Sequence, residues 1–272
     1  MNQQFADPGL QVLRSDLLSA IPGVVHGFTG RVEGLGIADG NVGYSPPRDQ
    51  PDAWRNRQAW ASAIGVDPER IITPGQVHGD IVLRARERDA GIGARPGSGK
   101  LGLGDALMTS DSGPVLFSLH ADCLPLLLVD PGVGTRTRAV AAVHAGWRGT
   151  VVDVVGATVR AMHEAFGSRP ESMLAFIGPA IGPCCYEVGD DVTSAWRDRA
   201  GDEASHAIAP GPDRPHFDLQ SANTLLLRRA GLREDHIEVA GLCTRCQADR
   251  WFSHRGQGAH TGRFAAVIAL SV

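Results

Sequence analysis

Lysine is almost missing from this 272-residue chain: Lys100 is the only one, so nearly all positive charge is arginine. That bias reflects genome composition as readily as anion recognition and carries little weight alone. A formal net charge of −4 offers no positive field for nucleic acid or an anionic membrane. No apolar run approaches the roughly 20 residues needed to span a bilayer. Met1 to Leu10 lacks a basic stretch followed by an apolar core, so no secretory signal is expected. Five cysteines, an odd number, do not suggest a disulfide framework, and a reducing cytoplasm is the expected setting. Neither a Gly-x-x-x-x-Gly-Lys-Ser/Thr loop nor a Gly-x-Gly-x-x-Gly after a strand is present. A nucleoside triphosphate or dinucleotide is therefore not indicated. No His-x-His pair occurs, which argues against a trinuclear copper centre.

What the chain does have is an ordinary globular composition, 43% apolar and 21% charged, and enough length to bury a full core. Val24 to Thr29 reads as a strand entering a glycine-rich loop, Gly30 to Gly43. Asp52 to Ile64 reads as a helix stopped by Gly65. Ile71 to Val82 is expected to be extended, and Gly91 to Gly104 to be a flexible insertion loop. Strands are expected at Val115–Leu119, at Leu124–Val129 and, after a tight turn near Pro131-Gly132, in the run ending at His144. Thr150 to Phe166 has the apolar spacing of one amphipathic helix. Further strands are expected at Met173–Ile177, Ile237–Leu242 and Phe264–Leu270, and helices at Val188–Arg199 and Asp218–Ala230. Strands and helices mix without a break in composition, which points to one domain with several antiparallel strand pairs.

Three segments carry metal-ligating side chains: Gln76-Val77-His78-Gly79, Ala121-Asp122-Cys123-Leu124-Pro125 and His144-Ala145-Gly146-Trp147-Arg148-Gly149. Cys123 and His144 sit beside strongly apolar runs, where a strand carries a ligand to a sheet edge. One thiolate and two imidazoles make a three-ligand zinc set with an open fourth position. A lone Cys123 is more often an inert core thiol, and a lone histidine a hydrogen-bonded core residue. Three such residues at three strand ends favour a shared site. Cys184-Cys185 and Cys243-Thr244-Arg245-Cys246 are a rival set, but adjacent cysteines lack the spacing of a zinc knuckle, and they are read as reduced, non-catalytic thiols. Arg31, Arg148, Arg255 and Arg263 lie in turns or beside glycine, where guanidinium and backbone can hold an oxyanion.

With these residues in view, the chain resembles the purine nucleoside phosphorylase family formerly labelled polyphenol oxidase or multicopper laccase-domain protein. The likeness runs from about Val25 to the C-terminus. Its carriers are the three segments above together with His26-Gly27-Phe28-Thr29, Ile177-Gly178-Pro179, Cys185-Tyr186-Glu187-Val188, Cys243-Thr244, Phe252-Ser253-His254-Arg255 and Thr261-Gly262-Arg263. The resemblance implies an α+β fold, a single domain over 1–272 with mixed β-sheets flanked by helices. It implies a zinc site made by His78, Cys123 and His144, and phosphorolysis of adenosine, inosine, guanosine and methylthioadenosine together with adenosine deamination. Two features depart from the family pattern: Glu33-Gly34 replaces a glycine pair, and Gly91–Gly104 is longer than usual.

On this expectation a metal-activated water serves deamination, while phosphorolysis needs an anion pocket and a stabilised purine leaving group. Arg148, helped by Arg31 or Arg255, is expected to hold phosphate. Asp122 is expected to orient a ligand histidine or move a proton, and Trp147 to stack on the base or pack. Gln76 and Asn41 are candidate ribose or base contacts. The partners are thus purine nucleosides and phosphate, with either a monomer or a homodimer expected. A Cys-His hydrolase with Cys123 as nucleophile and His144 as base, or a copper-dependent polyphenol oxidase, stands as the alternative.

Overall fold

Two wholly buried strands decide the architecture. Every residue of Leu124–Asp130 and of Ala139–Ala145 is buried. Successive strand side chains point to opposite faces, so both faces of these strands must be covered. In the computed structural model, which describes residues 10–132 and 139–271, they are covered by a second sheet on one side and helices on the other.

Along the chain the elements begin with α1 (Asp16–Ser19), β1 (Val24–Phe28), α2 (Gln50–Ile64), β2 (Ile71–Ile72), β3 (Val82–Arg84), β4 (Ala106–Thr109), β5 (Val115–His120), β6 (Leu124–Asp130) and β7 (Ala139–Ala145). They continue with α3 (Trp147–Val151), α4 (Val154–Phe166), β8 (Leu174–Ile177), α5 (Asp190–Ala200), β9 (Ile208–Ala209), β10 (His216–Phe217), α6 (Leu219–Arg229), β11 (Ile237–Val239), α7 (His254–Gln257) and β12 (Phe264–Leu270). A six-stranded mixed sheet runs β11-β8-β6-β7-β4-β3, and a four-stranded mixed sheet runs β1-β12-β5-β2. β9 and β10 form a small antiparallel pair.

Alternation sorts the core into layers. Leu126, Leu128, Ala141 and Val143 face Val155, Val159 and Met162 of α4 and Leu226 of α6. Leu127, Val129, Val140 and Ala142 face Leu116, Ala266 and Ile268 of the smaller sheet. Behind that sheet, Phe117 and Val267 pack with Trp60 and Ile64 of α2. Fully burying one such Leu or Val stabilises by about 1.5–3 kcal/mol, so a one-residue slip that reversed β7 would be costly. This locks His144, in phase with Val140 and Ala142, onto the face between the sheets.

Helix ends follow local chemistry. The Asp49 side chain accepts from Asp52 N at the start of α2, and Gly65 ends it at φ 94°. The single helix expected from Thr150 is instead two, α3 and α4. Asp153 adopts a left-handed φ of 65°, and its carboxylate caps α4 through Gly156 N. The expected extended run Ile71–Val82 is strand only at Ile71–Ile72 and from Val82. Between them Thr73 and Gly75 exchange backbone hydrogen bonds with the 92–104 loop, and the side chains of Gln76 and Asp105 hold the residues around His78. At the turn expected near Pro131-Gly132, Gly132 has φ 72° and its N–H donates to Asp130 Oδ1 at 3.0 Å; residues 133–138 lie outside the described residues. Among the described residues no helix is long and apolar enough to cross a membrane.

Candidate metal centre and cavity

His78, Cys123 and His144 come together where the two sheets exchange strands. His78 lies between β2 of the smaller sheet and β3 of the larger, and Cys123 turns β5 into β6. His144 stands near the end of β7. One ligand atom from each lies within 4.8 Å of the others, and Cys123 Sγ is 3.9 Å from His78 Nε2. The two imidazoles meet edge-on, 4.9 Å between centroids.

The local backbone is unusual at two of the three segments. His78 has φ 63° and Asp122 has φ 83°, the left-handed region that non-glycine residues seldom adopt without support. At His78 the support is Asp105, whose carboxylate accepts from the N–H groups of Val77, His78 and Gly79 at 3.2, 2.9 and 2.8 Å. The same carboxylate meets His144 Nδ1 at 2.9 Å, leaving Nε2 directed to the shared site. Gly146 completes the closeness. A Cβ there would stand 2.9 Å from Cys123 Sγ and 3.1 Å from His78 Cδ2.

Electrostatics match this geometry. Burial alone would push the Cys123 thiol up, but the neighbouring His144 and His78 imidazoles outweigh it and bring it down. Burial opposes charge on His144 as well, yet the Cys123 sulfur and the Asp105 carboxylate raise it. Burial likewise works against ionised Asp105, and its bonds to His144, Gly79 and His78 hold it below the usual carboxylate range. The donors suit zinc: a soft thiolate, two imidazoles, and a carboxylate fixing one imidazole from behind.

The site opens into a cavity of about 1020 Å3 whose wall includes Gln76, Trp147, Arg148 and Arg255. Arg148 is exposed with its guanidinium 4.3 Å from the Trp147 ring centroid, and Arg255 lies over Tyr186 at 5.3 Å. Gln76 is already committed, bonding Leu119 O through Nε2 and Leu119 N through Oε1 at 2.8 and 2.9 Å. Asp122 also lines the cavity but does not orient a histidine. Its two oxygens accept from Thr244 Oγ1 and Arg255 N, both at 2.6 Å, and the orienting carboxylate is Asp105. Two expected contacts stay outside the cavity wall. Arg31 is paired with Asp39 at 2.8 Å and bonded to Ala248 O. Asn41 is buried and spent on Gly43 and Arg263 backbone groups, because it pins the glycine-rich loop to β12.

The cavity also recruits residues that the sequence did not mark as site residues: Tyr44, Arg48, Arg95, Lys100 and, although it lies in a family motif, Tyr186. Arg48 follows a proline pair in an unremarkable polar stretch, so nothing local marked it. Arg263, singled out by its turn, lines the same wall. Burial lowers Arg263 to about 10, with Arg48 close by adding to the effect. Among the described residues neither Arg48 nor Arg263 has a carboxylate partner. His120 is a satisfied core histidine, bonded to Ser118 Oγ and Cys123 O. The four other cysteines, whose spacing argued against a common site, have sulfur atoms within 4.8 Å of one another. Two loops distant in sequence fold against each other there, so spacing along the chain was the wrong constraint.

A family model described as multi-copper polyphenol oxidoreductase laccase matches residues 25–271. The chain belongs to this family. The purine nucleoside phosphorylase YlmD of Geobacillus stearothermophilus is 34% identical over 254 residues, spanning 89% of this chain and 90% of that protein. The purine nucleoside phosphorylase of Deinococcus radiodurans is 37% identical, over 97% of this chain and 94% of its own. The crystal structure of the Geobacillus stearothermophilus YlmD superposes with a TM-score of 0.88 at 32% identity, covering 97% of this chain and 99% of that one. The relatives are thus named for nucleoside chemistry, although the family description is for copper oxidation. Among the described residues the only groups of metal-ligating side chains are this two-histidine, one-cysteine set and the four cysteines. Neither has the histidine supply of a trinuclear copper cluster.

Proposed function

We propose that the protein is a zinc-dependent purine nucleoside phosphorylase acting on adenosine, inosine, guanosine and methylthioadenosine, with adenosine deaminase activity at the same site. One observation carries this reading: a three-ligand metal set shares its cavity with Arg48, Arg148, Arg255 and Arg263, guanidinium groups without carboxylate partners among the described residues. A cavity of about 1020 Å3 is at the upper end of the range for small-molecule sites, ample for a nucleoside beside an anion. The names of the relatives support the same substrate class.

His78, Cys123 and His144 would hold the ion, with Asp105 fixing the His144 ring and the His78 backbone. When bound, zinc supplies Lewis acidity at the end of the cavity. The arginines hold phosphate so that one of its oxygens forms a bond to C1′ of the ribose. The C1′–N9 bond breaks, its electron pair leaves with the purine, and the base takes up a proton. Arg48 and Arg263 act as a pair here, their charge strengthened by partial exclusion of water. Trp147 and Tyr186 offer apolar faces to the base. Asp122 positions the wall, tying Arg255 and Thr244 to the turn that carries Cys123.

The line Asp105–His144–Cys123 also has the order of a thiol hydrolase triad, and the lowered thiol favours that second reading. Metal dependence separates the two. Purified, metal-analysed protein is incubated with inosine and phosphate, before and after chelation. Hypoxanthine and ribose 1-phosphate formed only by the metal-loaded protein support phosphorolysis. Absence of base release from every purine nucleoside tested would overturn it, and chelator-resistant ester or amide cleavage would favour the triad.

A further inference from the structure

Away from the cavity just described, two loops bring four sulfur atoms to one point. Cys184 and Cys185 lie in the turn after β8, and Cys243 and Cys246 in the loop after β11. The four Sγ atoms are mutually within 4.8 Å, and that of Cys246 is 3.4 Å from each of Cys184 and Cys185. A disulfide would require about 2.05 Å. Four thiolates around one zinc, each about 2.3 Å from it, stand about 3.8 Å apart by tetrahedral geometry. The observed spread brackets that spacing.

The backbone is arranged around the sulfurs. The N–H of Gly182 donates to Cys243 Sγ at 3.3 Å. Donors aimed at sulfur favour its thiolate form, which a merely packed thiol does not need. Gly182 passes so near that a Cβ there would lie 3.2 Å from Cys243 Cβ and 3.3 Å from Cys184 Sγ. The two loops are joined beside the cluster by Thr244 N to Ala180 O and Ala180 N to Leu242 O, at 3.0 and 3.3 Å. Arg245, which bonds Cys185 O, brings positive charge to the cluster.

We propose that Cys184, Cys185, Cys243 and Cys246 form a second metal centre, a closed tetrathiolate site for a soft divalent ion such as zinc. Four protein ligands leave no position for a substrate, so the role is structural. Binding displaces the remaining thiol protons to solvent, and the ion then offsets the mutual repulsion of the thiolates. The centre clamps the loop that brings Ile181 and Tyr186 to the cavity against the loop whose Thr244 holds Asp122. It does not depend on the nucleoside reading, since its ligands are separate from His78, Cys123 and His144.

The full chain, purified with reductant, is analysed for zinc beside two variants. Wild type is expected to hold about two ions per chain, and Cys123→Ala about one. The double variant C243S/C246S is expected to keep only the ion of the histidine-containing site. Because that double variant can misfold, the deciding measurement uses Cys123→Ala, whose four clustered thiols are intact. Loaded with cobalt(II) alone, it should show intense thiolate-to-cobalt charge-transfer bands and the visible spectrum of a tetrahedral ion, and chelation should lower its thermal midpoint. A metal-free Cys123→Ala that gives no thiolate bands with cobalt would overturn the proposal. Recovery of the four thiols as disulfides from reductant-treated protein would do so equally.

Discussion

Asp105 Oδ1 lies 2.9 Å from His144 Nδ1 and also 2.9 Å from the backbone nitrogen of His78, so one carboxylate oxygen fixes two of the three ligand-bearing residues. Replacing Asp105 by asparagine keeps the size but removes the charge, and an amide cannot accept from the N–H groups and from His144 equally. Metal affinity is expected to fall about 10- to 100-fold, measured by competition with a chromophoric chelator. Affinity equal to wild type would show that the carboxylate does not organise the site.

Cys123→Ala removes the only sulfur donor of the open site. Nucleoside phosphorolysis is expected to fall by more than roughly 100-fold, together with loss of the ion from that site. Inosine turnover and metal content are read on the same preparation. Retention of both would sink the ligand assignment.

Gly146→Ala tests whether closeness itself matters. The new Cβ would sit 2.9 Å from Cys123 Sγ, tighter than real carbon atoms tolerate. Metal loss is expected with far-UV circular dichroism unchanged. A variant that still binds the ion tightly would mean that the turn shifts without disturbing the ligands.

Arg48 and Arg31 separate the cavity from its surroundings. Arg48→Gln is expected to raise KM for phosphate about tenfold, the effect of losing a charge-assisted hydrogen bond. Arg31→Ala, which breaks only the Asp39 and Ala248 contacts, should leave that KM within about twofold. The reverse order would place the anion elsewhere.

His26 gives a pH dependence of stability. Burial lowers it to about 4, assisted by nearby Arg14, and its Nε2 accepts from Ser15 N. The unfolded chain protonates near 6.5, so below that value the unfolded state binds more protons and stability falls until the folded group titrates as well. Between pH 7.5 and 5.0 the His26 share of the loss is about 2 kcal/mol. Urea unfolding of wild type and His26→Gln at the two pH values checks this. Identical slopes of stability against pH would refute it.

Much of the sandwich is legible in the chain because the unbroken apolar runs of β6, β7 and β12 report two covered faces directly. Cys123 and His144 are legible because each borders an apolar run, and His78 because it adds a third metal-ligating side chain in a segment expected to be extended. Asp105 is not, since its partner His144 is 39 residues away and nothing local marks an acceptor for both. Arg48 stayed hidden for the same reason, and Asn41 and Arg31 misled because a glycine-rich loop needs side-chain braces of its own. The cysteine cluster is a matter of two turns meeting, which no spacing rule along the chain encodes.

The open site is stitched across the seam between the two sheets. His78 and Cys123 each sit on a crossover that leaves the smaller sheet and enters the larger, while His144 belongs to the larger sheet alone. Neither sheet by itself can assemble the donors. Docking of the layers and assembly of the candidate metal site are therefore one event. An ion held there acts as a rivet through the sandwich, and a defect as remote as the packing of α2 behind the smaller sheet would reach the chemistry by loosening that seam.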